Sequence, residues 1–366
     1  MSSRRKPSDS SDQTFDHTLM SDPVGPLEAF SLPGAERPAE QVSGTVGVLG
    51  TLIWDRIFRR DGRREPVEEW GGISYGLEAL AAALPEGWSI RPILKVGQDL
   101  AEEALRYLRS VPRVETDPGV RIVPFPNTRV ELRYQEQDRR LERLTGGAPP
   151  WTWLELGPVL SGLDALFVNF ISGFELEQDT ATQLRESFPG PIYADLHSLF
   201  LGITAQGLRV PQELVGWGAW MRAFDAVQMN EDEFELLGRS WGDPWQLAAD
   251  IVGPELKLIT VTLSERGAAY VAAPDFEPDP RTWAATRRSL GRGGAARSGR
   301  VSLESDAKFG DPTGCGDVWG ATFFGRLLGG DPLEKAMATA NRMAEKNVEH
   351  RGARGLHLHL RGLLSP

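Results

Sequence analysis

The stretch Gly310-Asp311-Pro312-Thr313-Gly314-Cys315-Gly316-Asp317-Val318-Trp319-Gly320-Ala321 decides how this chain is read. Small residues crowd together just ahead of an apolar helical pattern formed by Val318, Ala321, Phe324, Leu327 and Leu328. The pattern predicts a loop whose backbone N–H groups, together with a helix N-terminus, face one point in space. Orphan amides and the positive end of the helix dipole make such a point attractive to an anion. A carboxylate there, Asp317, is repelled by a bound phosphate unless it has a task. The natural task is to accept a proton from a hydroxyl attacking that phosphate. The alternative is a glycine-rich turn with Asp317 capping the helix, and these residues by themselves leave both open.

Outward from this stretch the chain alternates strand-like and helix-like segments. Order begins at Thr45-Val46-Gly47-Val48-Leu49-Gly50. Gly72 to Leu84 and Leu100 to Leu108 carry helical patterns, and Ser89 to Val96 reads as a strand. Further strands are expected at Ala165–Ile171, Pro191–Leu196, Ala226–Met229 and Leu258–Leu263. Alternation of this kind implies an α/β protein with a mostly parallel sheet and helices on both faces. Ile53 to Glu69 and Val120 to Leu144 break the pattern: they are charged, locally alternating, and suit a small β-sheet serving as a lid that excludes water. Asp275 to Arg300, rich in Arg, Gly and Pro, reads as a surface insertion. Residues 1–41 are rich in Ser, Asp, Pro and Glu without sustained periodicity, which predicts a disordered tail within which Met20 is a second candidate start.

Composition excludes several functions. A net charge of −11 leaves no basic surplus for nucleic acid. A single cysteine rules out an intramolecular disulfide and fits a reducing cytoplasm. No apolar run approaches the about 18 residues of a membrane helix, and the basic N-terminus lacks the apolar region of a secretory signal. The phosphate-binding pattern G-x-x-x-x-G-K-[ST] is absent from the sequence.

The opening stretch resembles the second signature of the ribokinase-like (PfkB) carbohydrate kinases, a D-T-x-G-A-G-D pattern followed by small and apolar residues. The resemblance covers about residues 44 to 355. It implies a doubly wound, mostly parallel central sheet with helices on both faces and a β lid at the two charged segments. It implies an anion hole at Gly314, Cys315 and Gly316, with Cys315 standing where the family has Ala or Gly, and Asp317 as catalytic base. Thr313 belongs to the same nucleotide-facing loop.

Other motifs follow in the family's order. Asn230-Glu231-Asp232-Glu233 reads as a capping box on its own residues; in the family an N-x-x-E motif places Mg²⁺ and phosphate, which assigns Asn230 to the nucleotide and Glu233 to the metal. Thr262, Ser264 and Gly267 match a T-L-G-x-x-G turn over the nucleotide, with Ser264 replacing the first Gly; on the residues alone this is equally a hairpin turn. Asn341 lies in a helix that passes beside the adenine in the family. Lys95-Val96-Gly97-Gln98-Asp99 resembles the V-G-x-D core of the first signature.

On the acceptor side, the resemblance places sugar-binding roles on Asp55 and on the pair Gly71 and Gly72. Asp55 is otherwise a solvated loop residue among Arg56, Arg59 and Arg60. Asn169, Asp195 and His197 sit near strand ends, where ligands of open α/β sheets gather. Asp331 and Pro332 read as the N-cap and first residue of a helix. His357 and His359 lack acidic or Cys partners and are not read as a metal site.

The expected activity is ATP-dependent phosphorylation of a hydroxymethyl group on a sugar or sugar-like molecule, with Mg²⁺ as cofactor. Many family members are stimulated by K⁺ or form homodimers. The alternatives are a nucleoside or vitamin kinase on the same fold, or a kinase-like ligand-binding protein without turnover.

Overall fold

Along each inner strand the apolar side chains point alternately to two faces, and that period-2 split builds the molecule around one sheet between two helical layers. The computed structural model describes residues 43–58, 66–134, 140–239, 241–287, 293–304 and 310–364. The expected tail at 1–41 lies outside the described residues, as do 59–65 and 135–139 of the lid segments and 288–292 of the insertion. The chain divides into Met1–Glu40, which contains no described residue, and the unit Gln41–Pro366.

In chain order the strands are β1 Gly44–Leu49, β2 Leu52–Phe58, β3 Val67–Gly72, β4 Trp88–Gly97, β5 Val120–Val123, β6 Arg129–Tyr134, β7 Arg140–Thr145 and β8 Ala165–Asn169. They continue as β9 Ile192–Asp195, β10 Leu201–Ile203, β11 Arg209–Pro211, β12 Ala226–Asn230, β13 Leu258–Thr262, β14 Ala268–Ala272 and β15 Arg297–Val301. Among the described residues, nine strands form one sheet in the order β15-β14-β13-β12-β9-β8-β1-β4-β5. Pairing is parallel from β13 to β5 and antiparallel at β13–β14 and β14–β15. This is a doubly wound, mostly parallel α/β sheet.

The alternation is visible residue by residue. On β8, Ala165 and Phe167 join one core with the helices Ile73–Ala83, Cys315–Leu328 and Leu333–Glu349. Their neighbours Leu166 and Val168 join the other core, with Gln178–Ser187, Glu231–Gly238 and Pro244–Ile251. Both faces are covered, so β8 is buried at every position, as parallel strands under two helical layers must be. A buried hydrogen-bonded cluster links the first helix to the segment around His357. Glu78 of the first helix accepts from the His357 amide (3.0 Å) and pairs with His357 Nδ1 (2.5 Å), while Tyr107 donates its hydroxyl to the same carboxylate (3.3 Å).

A separate four-stranded sheet, in the order β3-β2-β6-β7, stands where the lid was expected. Ile53, Ile57, Val130 and Leu132 point inward and are buried, while Arg56 on the other face bonds Glu68 (2.8 Å) and Glu131 (3.3 Å). Asp99, just past β4, fastens this sheet to the main one. Its carboxylate accepts from the Asn127 amide (2.8 Å) and from Arg129 (2.6 Å), and Asn127 in turn donates its side-chain amide to Leu52 O (3.0 Å).

The structure corrects four expectations. Val120–Val123 belongs to the central sheet, paired with β4, so the second lid segment begins later than expected. The stretch 275–300 is not simply a surface insertion: Trp283 is fully buried and Arg297–Val301 is an edge strand of the main sheet. Its Arg287 also reaches inward, forming a buried cluster with Asp225 and Arg185 (2.5 Å to each Arg). The antiparallel pair β10–β11 had no reading in the sequence, because strands this short carry too few residues for a period to show. The last long helix starts at Leu333 with Pro332 as N-cap, one residue later than read from Asp331; Asp331 instead bonds Arg326 and Lys335.

Candidate active site

The carboxyl ends of β8, β9, β12 and β13 meet the N-termini of helices Glu231–Gly238 and Cys315–Leu328 along one edge, around a cavity of about 560 Å³. The residues Gly314, Cys315, Gly316, Asp317, Asn230, Glu233, Thr262, Ser264, Gly267 and Asn341, read from separate motifs, all line it. Thr313, Asn169, Asp55, Gly71 and Gly72 do not.

The helix Cys315–Leu328 begins at Gly314, which adopts φ 77° and has no side-chain cap. A side chain there is also sterically barred, since a Cβ would lie 2.3 Å from Cγ of Tyr75. The Cys315 amide donates to Pro312 O (3.1 Å) and the Val318 amide returns to Gly314 O (2.9 Å). The amides of the first turn lie at the positive end of a helix dipole and face the cavity. Cys315 contributes shape only: burial pushes its thiol up to about 11, and its sulfur packs against Ala344 O and Asn347.

Asp317 sits in that first turn. Asn169, at the end of β8, donates its side-chain amide to Asp317 Oδ1 at 2.8 Å. Asn169 is fully buried, and among the described residues its Oδ1 has no hydrogen-bond partner. An unpaired buried acceptor costs about 1–3 kcal/mol, and a ligand hydroxyl donating to it removes that cost.

Asp195 and Gln228 complete the floor, and Gln228 had no reading in the sequence. Gln228 donates to Asp195 Oδ2 (2.9 Å) and to Gly316 O (3.0 Å), and accepts from Tyr193 (2.8 Å). Glycine at 320 makes room for it, since a Cβ there would lie 2.3 Å from Gln228 Oε1. Burial, and then the carboxylates of Asp317 and Glu233, raise Asp195 to about 8. That shift favours the protonated form of Asp195 within this cluster of acids.

Glu233 serves the capping box and the cavity together. It bonds the Asn230 amide (2.8 Å) and side chain (2.6 Å), while its own amide donates to Asn230 Oδ1 (2.9 Å). It also pairs with His197 Nδ1. Desolvation opposes charge on His197, but the Glu233 carboxylate outweighs it and raises the imidazole to about 9. That shift favours a charged imidazole on the cavity wall, which His197 lines as its place near a strand end suggested. Among the described residues no three His, Cys, Asp or Glu side chains form a preformed metal cage.

Ser264 takes φ 51°, the left-handed conformation that the glycine of the related motif supplies without strain. Gly267 closes the same turn at φ 85°, with Val301 O 2.1 Å from where a Cβ would be. Asn341 spends its side chain on structure, accepting from Trp319 Nε1 (2.8 Å) and donating to Val301 O (3.0 Å). Thr313 is held from its backbone, by Asp311 and Asn347.

The acceptor-side residues lie elsewhere. Asp55 is buried under the small sheet, so close to Gly71 that a Cβ on that glycine would fall 1.8 Å from its Oδ2. Gly72 starts the first helix at φ 61°. Tyr75, buried with its ring on Gly314, lies in the field of Asp55, Glu69, Asp311 and Asp317; burial first, then these charges, raise its hydroxyl well above the ordinary tyrosine range.

No family model and no curated protein matches the sequence. Solved structures do match in shape. A Burkholderia thailandensis nucleoside kinase in complex with inosine aligns over 86% of this chain and 94% of its own, at TM-score 0.60 and 14% identity. Ribokinase from Thermotoga maritima aligns over 88% and 99%, at TM-score 0.60 and 16% identity. A pyrophosphate-dependent kinase in the ribokinase family, complexed with a pyrophosphate analog and myo-inositol, aligns over 85% and 98%, at TM-score 0.59 and 19% identity. The chain has the ribokinase-like fold.

Proposed function

We propose that this protein is a phosphotransferase that moves the γ-phosphoryl group of ATP to a hydroxymethyl group of a small molecule. One observation carries the reading: Asp317 stands in the first turn of a helix that begins on a cavity, and the buried Asn169 donates to its Oδ1. A carboxylate at the anion-binding end of a helix is electrostatically awkward unless it takes a proton from the attacking group.

In this mechanism the donor phosphates lie against the Gly314–Gly316 backbone and the His197 side chain, with the nucleoside toward Gly267 and Asn341. Glu233, whose oxygens bond Asn230 and His197, is the residue that would hold a Mg²⁺ here, and such an ion would supply charge neutralisation. The acceptor hydroxyl gives its proton to Asp317, and its oxygen bonds to the γ-phosphorus. The bond from that phosphorus to the bridging oxygen breaks, and ADP leaves with the electron pair. First-turn amides offset charge on the transferring group.

Asp317→Asn retains the shape and the contact side of Asn169 but cannot accept the proton. Single-turnover transfer is expected to fall roughly 10²–10⁴-fold, with ATP affinity unchanged or tighter. Transfer at the wild-type rate would overturn the mechanism.

A further inference from the structure

Gln228 is a buried carboxamide in a layer packed with aromatic rings. On β12, Ala226 joins the core beneath the helix Cys315–Leu328, whereas Val227 and Met229 join the opposite one. The period of the strand therefore turns Gln228 toward that helix. It stands in register with Asp195 on β9 and Thr260 on β13. Beside it, Tyr193 stacks on Phe324 of the helix, with ring centroids 5.3 Å apart. A side chain without polar atoms would fill such a layer and leave nothing to satisfy, so the carboxamide calls for a reason.

Both amide hydrogens of that side chain are spent. Nε2 donates to Asp195 Oδ2 (2.9 Å) and to Gly316 O (3.0 Å), while Oε1 accepts from the Tyr193 hydroxyl (2.8 Å). The bond to Gly316 crosses from sheet to helix, joins residues 88 apart in sequence, and ends in the helix's first turn. The helix gives up a side chain to admit it. At Gly320, one turn on, a Cβ would lie 2.3 Å from Gln228 Oε1, although glycine inside a helix is unfavourable. A buried carboxamide and a helical glycine are both costly, and together they set one donor on the Gly316 carbonyl.

That turn lacks the ordinary means of fixing itself. Its N-cap is Gly314, which has no side chain to accept from the first amides. Its second residue is Gly316, the residue type with most backbone freedom to lose. Packing does not force glycine there: outside its own helix and chain neighbours, a Cβ would meet only Gln228 Nε2, at an ordinary 3.9 Å. Gly316 lines the cavity, however, and glycine suits a backbone that a ligand must approach closely. A turn kept bare for a ligand is weakly held by its own residues. It is anchored from the sheet instead, at the Gly316 carbonyl by Gln228 and at the Asp317 carboxylate by Asn169 (2.8 Å).

We infer that Gln228 is a positioning residue for phosphoryl transfer: it fixes the first turn of Cys315–Leu328 against β12, so that the Gly316 amide and the Asp317 carboxylate keep one spacing as the phosphoryl group moves. The inference rests on the phosphotransferase reading. Gln228 acts through the turn, since its committed hydrogens leave no donor for a phosphate. Released, the turn samples more backbone states, and groups misplaced by about 1 Å lose on the order of 10²-fold in rate.

The test compares two variants of the full-length protein. Gln228→Met keeps length and volume but donates nothing. Thr260→Val removes a buried hydroxyl from the same row, one that bonds Val227 O and Tyr193 but not the turn. Hydrogen exchange over residues 310–320 should quicken about tenfold or more in Gln228→Met and stay at the wild-type rate in Thr260→Val. Pyrophosphate, used as a probe anion in calorimetry, should bind about tenfold more weakly to Gln228→Met alone. Single-turnover transfer from saturating ATP, to whichever of ribose, myo-inositol and inosine the wild type phosphorylates fastest, should fall about tenfold or more in the same variant. Thermal melting checks folding; if Gln228→Met does not fold, Gly320→Ala displaces the same carboxamide from the helix side and carries the same expectations. Transfer at the wild-type rate overturns the inference whatever the exchange shows, and so does an equal response of Thr260→Val. Exchange and pyrophosphate binding need no turnover, so the two readings fail separately. A wild type that phosphorylates nothing, with both of those measurements responding to Gln228→Met, defeats the phosphotransferase and sustains the hold on the turn. Transfer that depends on Asp317 and ignores Gln228→Met does the reverse.

Discussion

Ser264 holds a left-handed backbone at the turn over the cavity, with φ 51°. For a residue with a Cβ that conformation costs about 1–2 kcal/mol, of which glycine's looser unfolded chain returns about 0.4–1 kcal/mol. Ser264→Gly should therefore stabilise the protein by roughly 0.5–1 kcal/mol, seen as a higher melting temperature; an unchanged or lower one would show the turn relaxed at no cost. At this scale the sequence was readable where a residue's type is forced by its neighbours. Gly314 has few physical substitutes, and it converges with Gly316, Asp317, Asn230 and Glu233 on one cavity. Gln228 and the orphan oxygen of Asn169 were not readable, because each matters through a contact made across the sheet from strands far apart in sequence. The same holds for Tyr75: nothing in a helical pattern says that its ring will lie on a glycine of another helix.

Among elements, Asp99 is one of the fastenings of the small sheet. Asp99 joins the end of β4 to Asn127 and Arg129 at the start of β6. Desolvation works against its charge, yet the Asn127 amide and the Arg129 guanidinium hold its carboxyl below the usual range. The stabilisation is present above the ordinary carboxylate pKa and is lost as pH falls through the lowered value. Asp99→Ala should leave the central strands protected while hydrogen exchange quickens over β6 and β7. Equal protection in the variant would mean that inward packing of Ile53, Ile57, Val130 and Leu132 suffices. The V-G-x-D motif marked a strand end and a helix start in the sequence; its carboxylate's task emerged only with the lid in place. Long buried strands were legible from their apolar runs, whereas β5 and β15 were not. β5 was read as β structure but given to the wrong sheet, and β15 carries two arginines and a glycine with little burial, so edge pairing is what makes it a strand.

For the whole molecule, the buried Asp195 sets a pH dependence. Its folded pKa of about 8 lies above the ordinary value of 3.8, so between those limits the folded protein holds a proton that the unfolded chain releases. Stability from this group falls as pH rises across that window and is fully lost above it. Asp195→Asn should therefore gain on the wild type in denaturant midpoint as pH climbs from 4 to 8, with little difference at the acid end. A constant difference across the window would mean that Asp195 is ionised in the fold. The hydrogen bonds between Glu78 and His357 have a consequence for how the chain is made. The partners are 279 residues apart, and at about 5–20 residues per second of synthesis Glu78 leaves the ribosome on the order of tens of seconds before its partner does. For that interval the first helix has neither His357 nor the helix Cys315–Leu328 to pack against. Until residues 315–357 are translated, Tyr107 is the partner that Glu78 has to hand, and the apolar face that the later helices cover stays open.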